Sequence, residues 1–307
     1  MKTFIKVIEI WIPDRERTRL VFGSGLYGAL DDFKIASENQ NFTYDEGLPG
    51  KAWAKGHPIV LTKFEQPYFK RTEEAQEAGF TCGIAMPVFA GDFLLAVVVF
   101  LCGDDEEHAG SIEVWCQDSV ENDKLQVVDG YYGTLQNFER VSRNTKMAKG
   151  QGIPGRAWQS GIPVLLEDFG QMFGLSQSPG KQQTAISTGL GIPLIHSDGT
   201  VHVITFLSAR TTPIAKRIQI WTLDDERRQL TCQHGFSKNG NNLAEMFECL
   251  SVKKGKGALG RVWLTGMPMI SGNQSIQYDP DLDSLSSMLS IPVIEQGRLN
   301  AIVTFLF

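Results

Sequence analysis

The chain lacks any apolar run long enough to cross a membrane as a helix, has only five cysteines in 307 residues, and carries no excess of basic charge. Its longest apolar stretch, "FLLAVVVFLC" from Phe93, is of strand length, whereas a membrane-spanning helix needs about 20 residues. The opening "MKTFIKVIEIWIPD" places Lys2, Lys6 and Glu9 where a secretory leader needs an apolar centre. An odd cysteine count without a leader points to thiols in a reducing compartment, so a cytoplasmic location is expected. The formal charge of -6 opposes phosphate backbones, so neither nucleic acid nor a membrane is an expected partner. The one basic cluster, Lys253, Lys254 and Lys256 in "SVKKGKG", reads as a solvated loop. The histidines (His57, His108, His196, His202 and His234) form no H-x-x-x-H pair, and C-x-x-C is absent. No metal signature follows, and no side chain stands out as a catalytic acid, base or nucleophile.

What the chain has instead is repetition. "GLPGKAWAKGHPIV" from Gly47, "GIPGRAWQSGIPV" from Gly152 and "GALGRVWLTGMPMI" from Gly257 are one motif written three times, with Trp53, Trp158 and Trp263 spaced 105 residues apart. The other three tryptophans, Trp11, Trp115 and Trp221, close "IEIW", "IEVW" and "IQIW". A third landmark is an apolar proline strand, "GIAMPVF", "GLGIPLI" and "MLSIPVI", each followed by a second apolar strand. Periods of roughly 100 residues exceed the 20–50 of solenoid repeats, so each copy should be a small domain with its own core. Within a copy the pattern predicts a tryptophan hairpin, a polar stretch, the Gly-Pro motif, a short strand, a variable segment and a final hairpin. "YFKRTEEAQEAG" from Tyr68 predicts a helix ending at Gly79. The fold class is α+β with an antiparallel sheet.

In the repeated motif the early glycines permit a tight turn, and Pro49 or Pro154 suits a helix start. Gly56, Gly161 and Gly266 suit a left-handed stop, after which Pro58, Pro163 and Pro268 forbid continuation. The tryptophan should then anchor one or two helical turns on the sheet. Lys51, Arg156 and Arg261 read either as side chains lying over that tryptophan or as an anion site.

The string G-x-P-G-R-x-W-x-x-G-x-P, the helix "RTEEAQEAGF" leading into "GIAMPVF", and the closing "LLAVVVFL" together resemble the GAF domain family of small-molecule sensors. The match is best in the first copy and weakest in the third, where Leu259 replaces the motif proline. The resemblance implies three tandem GAF-like modules, at 1–103, 104–209 and 210–307. Each would have a central antiparallel sheet of five or six strands and a ligand cavity between the sheet and the variable segments. The helices that flank a GAF sheet are not found between or beside the copies, yet the last strand is apolar at consecutive positions, which indicates burial on both faces. Neighbouring copies or another chain must cover the second face, and an exposed one would drive self-association. Copies could each close separately or exchange strands through their short connectors.

Aromatic residues with one charge in the variable segments suit a small-molecule pocket. The first copy offers Phe64, Tyr68, Phe69 and Arg71, with Cys82 beside the expected cavity as a small polar strand residue, a redox thiol or a tetrapyrrole attachment point. The second offers Phe169 and Phe173, the third Tyr278 and Asp279. The family's cyclic-nucleotide and chromophore motifs are not matched, so no cofactor is named. The expected function is a ligand-responsive regulatory protein acting through protein partners; the alternative is a structural building block of a homo-oligomer or larger assembly with empty modules.

Overall fold

The computed structural model describes residues 3–103, 110–117, 123–167, 186–209, 212–224, 226–237, 247, 250–272 and 285–307. The second and third variable segments, with Phe169, Phe173, Tyr278 and Asp279, lie outside the described residues, as does most of the connector after Gly103. In the first module β1 (Ile5–Pro13) and β2 (Arg19–Leu26) form the tryptophan hairpin, followed by α1 (Asp31–Glu38) and β3 (Asn41–Thr43). The motif helix α2 (Gly47–Lys55), β4 (Ile59–Leu61) and α3 (Thr72–Glu77) come next, and β5 (Cys82–Ala90) with β6 (Phe93–Cys102) closes the sheet. The second module repeats this as β7 (Gly110–Gln117), β8 (Lys124–Tyr131), α4 (Gln136–Arg143), β9 (Lys146–Ala148), α5 (Gly152–Ser160), β10 (Val164–Glu167), β11 (Ile186–Ile195) and β12 (Val201–Ala209). The third contains β13 (Arg217–Leu223), β14 (Gln229–Ser237), β15 (Ser251–Lys253), α6 (Gly257–Thr265), β16 (Met269–Gly272), β17 (Ser287–Glu295) and β18 (Arg298–Leu306). Each module is one antiparallel six-strand sheet of order β3-β2-β1-β6-β5-β4 or its equivalent.

Strand β1 pairs with β6 of its own module, with Trp11 opposite Val97, and β7 and β13 pair likewise with β12 and β18. Strands are therefore not exchanged. The motif behaves as its residues dictate: Gly56, Gly161 and Gly266 end their helices at φ 69°, 66° and 68°. The second glycine has a separate reason. A Cβ on Gly50, Gly155 or Gly260 would sit 2.2, 2.1 or 2.4 Å from the carbonyl oxygen of Thr43, Ala148 or Lys253, so the helix backbone rests directly on the short edge strand. Lys51 does not cover its tryptophan. It pairs with Asp45 at 3.3 Å and lies 4.7 Å from the Tyr68 ring centroid. The tryptophans are covered instead by Tyr44 on Trp53, Lys149 on Trp158 and Lys254 on Trp263, residues at one equivalent position of the three copies.

The question of the second sheet face has a direct answer. Along β6, Val97, Val99 and Leu101 point into the module's own core, while Ala96, Val98, Phe100 and Cys102 join a cluster that draws on all three modules. At its centre Phe100, Phe206 and Phe305 meet with ring centroids 5.3, 5.8 and 6.3 Å apart. Of the two expected covers for the second sheet faces, neighbouring copies or another chain, the structure uses the first, burying them against one another within one chain. Edge strands complete a closed ring: β4 packs on β8, β10 on β14, and β16 returns to β2. Hydrogen bonds cross the seams, including Val60 N–H to the Asp129 carboxylate at 2.9 Å and Phe4 N–H to the Pro213 carbonyl at 3.0 Å.

Because this cluster is shared, Phe206→Ala is expected to cost about 3–5 kcal/mol, in one cooperative denaturant transition that includes all three modules. A transition confined to the second module, with the others unfolding separately, would contradict a shared core.

Candidate functional site

Strand periodicity puts residue i−2 on the same face as residue i, so the residue two before each hairpin tryptophan faces the module's own core. These are Glu9, Glu113 and Gln219. All three are buried, and each accepts a hydrogen bond from its tryptophan indole N–H, at 3.0, 2.9 and 3.1 Å. The tryptophans carry the repeat in the sequence, and these polar neighbours are not among the site residues expected from it. Their signal is a glutamate in a strand otherwise largely buried, which requires a partner.

The first module supplies that partner from its own chain. Arg71, only 2% exposed, places its two Nη atoms on the two carboxylate oxygens of Glu9, with Nη2 at 2.9 Å from Oε2. The Nη1 atom also donates to Ser37. The guanidinium is enclosed by rings, with centroids at 4.6 Å for Phe33, 5.1 Å for Phe69 and 5.7 Å for Trp11, and Tyr27 donates to Glu9 at 3.1 Å. Burial alone would push the Glu9 carboxyl up, but the charge and hydrogen bonds of Arg71 hold it below the ordinary glutamate value.

The expected site residues of this module therefore divide. Phe64, Phe69 and Arg71 pack together in its core, with Arg71 paired to Glu9 inside it. Tyr68 is exposed on the outside against Lys51. Cys82 is corrected: it lies in the central inter-module cluster, because strand alternation turns it away from the face that carries Gly83 and Ala85.

The second module differs at two points. Thr205 stands opposite Glu113, where Val99 stands opposite Glu9, and it donates to Glu113 Oε2 at 3.0 Å. Among the described residues no cation reaches Glu113. Its Oε1 atom and the hydroxyl of Tyr132 are buried without hydrogen-bond partners. Beside them is a cavity of about 160 Å³, lined by Glu113, Trp115, Phe138, Ser142, Thr205, Leu207 and neighbours from β9 and α5. Burial pushes the Glu113 carboxyl above the ordinary glutamate value despite nearby hydroxyls of Ser142, Thr205 and Tyr132. In the third module Gln219 replaces the acid and is hydrogen-bonded by Thr304 at 3.2 Å, so that position is neutral and its amide oxygen is paired within the module.

A larger cavity of about 600 Å³ lies where the proline strands of the three modules converge, lined by Pro87, Pro193 and Pro292 together with His57, His196 and His202. His57 stacks on His202 at 4.9 Å, and a ring nitrogen of His196 is 2.9 Å from one of His202. Burial, then the neighbouring histidines, lower His202 to about 3, so it is neutral at physiological pH. Among the described residues no group of three or more His, Cys, Asp or Glu side chains is arranged to hold a metal.

The two carboxyls should respond to pH with opposite signs. Removing the cation from a buried pair typically costs about 3–5 kcal/mol, so Arg71→Ala should lower stability by that order in chemical denaturation near neutral pH. The loss should shrink as acid protonates Glu9. For Glu113 the folded form binds its proton more tightly than the unfolded chain. Its contribution is fully present below about pH 4.3, the ordinary unfolded value, and is lost as pH rises through the raised folded value. Glu113→Gln should therefore gain on the parent as pH increases above that point. A pH-independent difference would contradict the assignment.

No protein-family model and no curated protein matches the sequence. Among solved structures the chain is similar to free methionine-R-sulfoxide reductase from Neisseria meningitidis, at 16% identity over 32% of this chain and 52% of that one, with a TM-score of 0.25. It is also similar to the GAF domain of an Acinetobacter phosphoenolpyruvate-protein phosphotransferase, at 14% identity over 33% and 57%, TM-score 0.25. A third is the A. aeolicus nlh2 GAF domain, at 21% identity over 33% and 60%, TM-score 0.27. The chain thus spans about half to three fifths of these relatives, and its three similar six-strand sheets are consistent with three tandem GAF-like repeats.

Proposed function

We propose that this chain is a non-catalytic, ligand-responsive regulatory protein that binds a small molecule in its second module and acts through protein partners. The observation that carries the reading is the contrast among three equivalent sites. The first is filled by Arg71, the third is neutral and satisfied by Thr304, and the second combines a cavity with a buried, incompletely paired carboxyl. A polar group left in that state costs on the order of 1–3 kcal/mol, which a ligand would recover. The cavity wall is made partly by α4 and β9, which touch the sheet edge rather than the shared centre. Occupancy can therefore alter an outer surface without disturbing the inter-module core. The first and third modules serve in this reading as scaffold, which is where the building-block interpretation retains support.

Native mass spectrometry of gently purified protein should show one additional small mass per chain that denaturation releases. Amide exchange in α4 should quicken once that mass is removed. Bare chains with unchanged exchange in α4 would overturn the reading.

A further inference from the structure

We infer that the ligand of the second module is a small organic cation of the guanidinium or alkylammonium class, held by Glu113. The inference rests on the ligand-binding reading above and adds the chemistry of the ligand. Its basis is that the first module shows the same receptor already occupied. There a guanidinium spans both oxygens of Glu9, donates to Ser37 and lies against Phe33 and Trp11. The second module repeats these residues at equivalent positions as Glu113, Ser142, Phe138 and Trp115, with Tyr132 matching Tyr27. Four of the five line the cavity or close it at the sheet.

The electrostatics select the charge. Glu113 is 2% exposed, its Oε2 is satisfied by Trp115 and Thr205, and its Oε1 makes no well-aligned hydrogen bond although the Ser142 and Tyr132 hydroxyls are nearby. An anion would meet the Glu113 carboxyl with no described cation to offset it. A cation meets a charge-assisted hydrogen bond there, beside the Trp115 and Phe138 side chains that line the cavity. The nearest described cation on the adjoining helix, Arg143, is paired with Glu139 at 2.8 Å and lies over the Tyr132 ring at 5.5 Å. Size narrows the class further. The cavity of about 160 Å³ is well below the ~300 Å³ at which pockets for drug-sized ligands begin. It suits a headgroup with a short alkyl stem and excludes a nucleotide.

The test titrates methylguanidinium chloride into the full chain, with N-methylurea and sodium acetate as neutral and anionic probes of similar size, at constant ionic strength. The readouts are the Trp115 indole N–H resonance and the thermal midpoint. Glu113→Gln is the matched variant, and Gln219 in the third module shows that glutamine keeps the tryptophan hydrogen bond at this position. The expected result is a saturable response to methylguanidinium, at least tenfold weaker in Glu113→Gln and absent with the other two probes. Saturation by N-methylurea or acetate with equal affinity would overturn the cation class while leaving the second module a ligand site. A chain that ignores all three probes but carries a releasable mass in native spectra would do the same. Silence to every probe together with bare chains would overturn the cation proposal and the functional reading at once.

Discussion

The whole architecture depends on strands that are buried on both faces. β6, β12 and β18 are apolar at consecutive positions, and alternation sends one half of each strand into its own module and the other half toward the neighbours. A single six-strand sheet of this composition would expose a broad apolar face. Three copies remove that cost together, by converging on Phe100, Phe206 and Phe305 and closing edge to edge. The central contact takes over the covering work that flanking helices would otherwise do, which is why the connectors can be short.

A shared core also frees the outer faces to diverge. Each module retains the same inner polar position beside its tryptophan, and each solves the burial problem differently. Glu9 is neutralised by an arginine from the chain, Gln219 by removing the charge, and Glu113 is left with one unpaired oxygen. Burying a carboxyl without a cation is unfavourable unless something else is gained. The three solutions side by side within one molecule make the second the informative exception, because the other two pair their polar group within the chain.

The sequence made much of this legible. Fixed spacing of six tryptophans revealed three copies, and period-two alternation revealed the hairpins. The order Gly, Pro, Gly, Trp, Gly, Pro revealed the motif helix with its left-handed stop. Local sterics and periodicity govern these features, so they can be read without knowing what packs against what. The same approach placed Cys82 beside the cavity and left Lys51 either over its tryptophan or at an anion site, and in both cases the outcome hinged on which face of an element met which neighbour. Glu9 and Glu113 were in plain view within "IEIW" and "IEVW", yet their importance emerges only when a buried arginine from a segment 62 residues away is found against Glu9 and, among the described residues, no cation against Glu113.

The sequence by itself determined the repeat, the α+β class, the positions of hairpins and caps, and the need for something to cover a second sheet face, because these follow from backbone sterics and alternation within short windows. Only the tertiary structure decided that the copies cover one another in a closed ring without exchanging strands. It also decided that the first module's site is filled by Arg71 and that the second retains a cavity beside Glu113. Those outcomes depend on contacts between residues tens to hundreds of positions apart, where burial and charge pairing set the free energy and no local pattern records the partner.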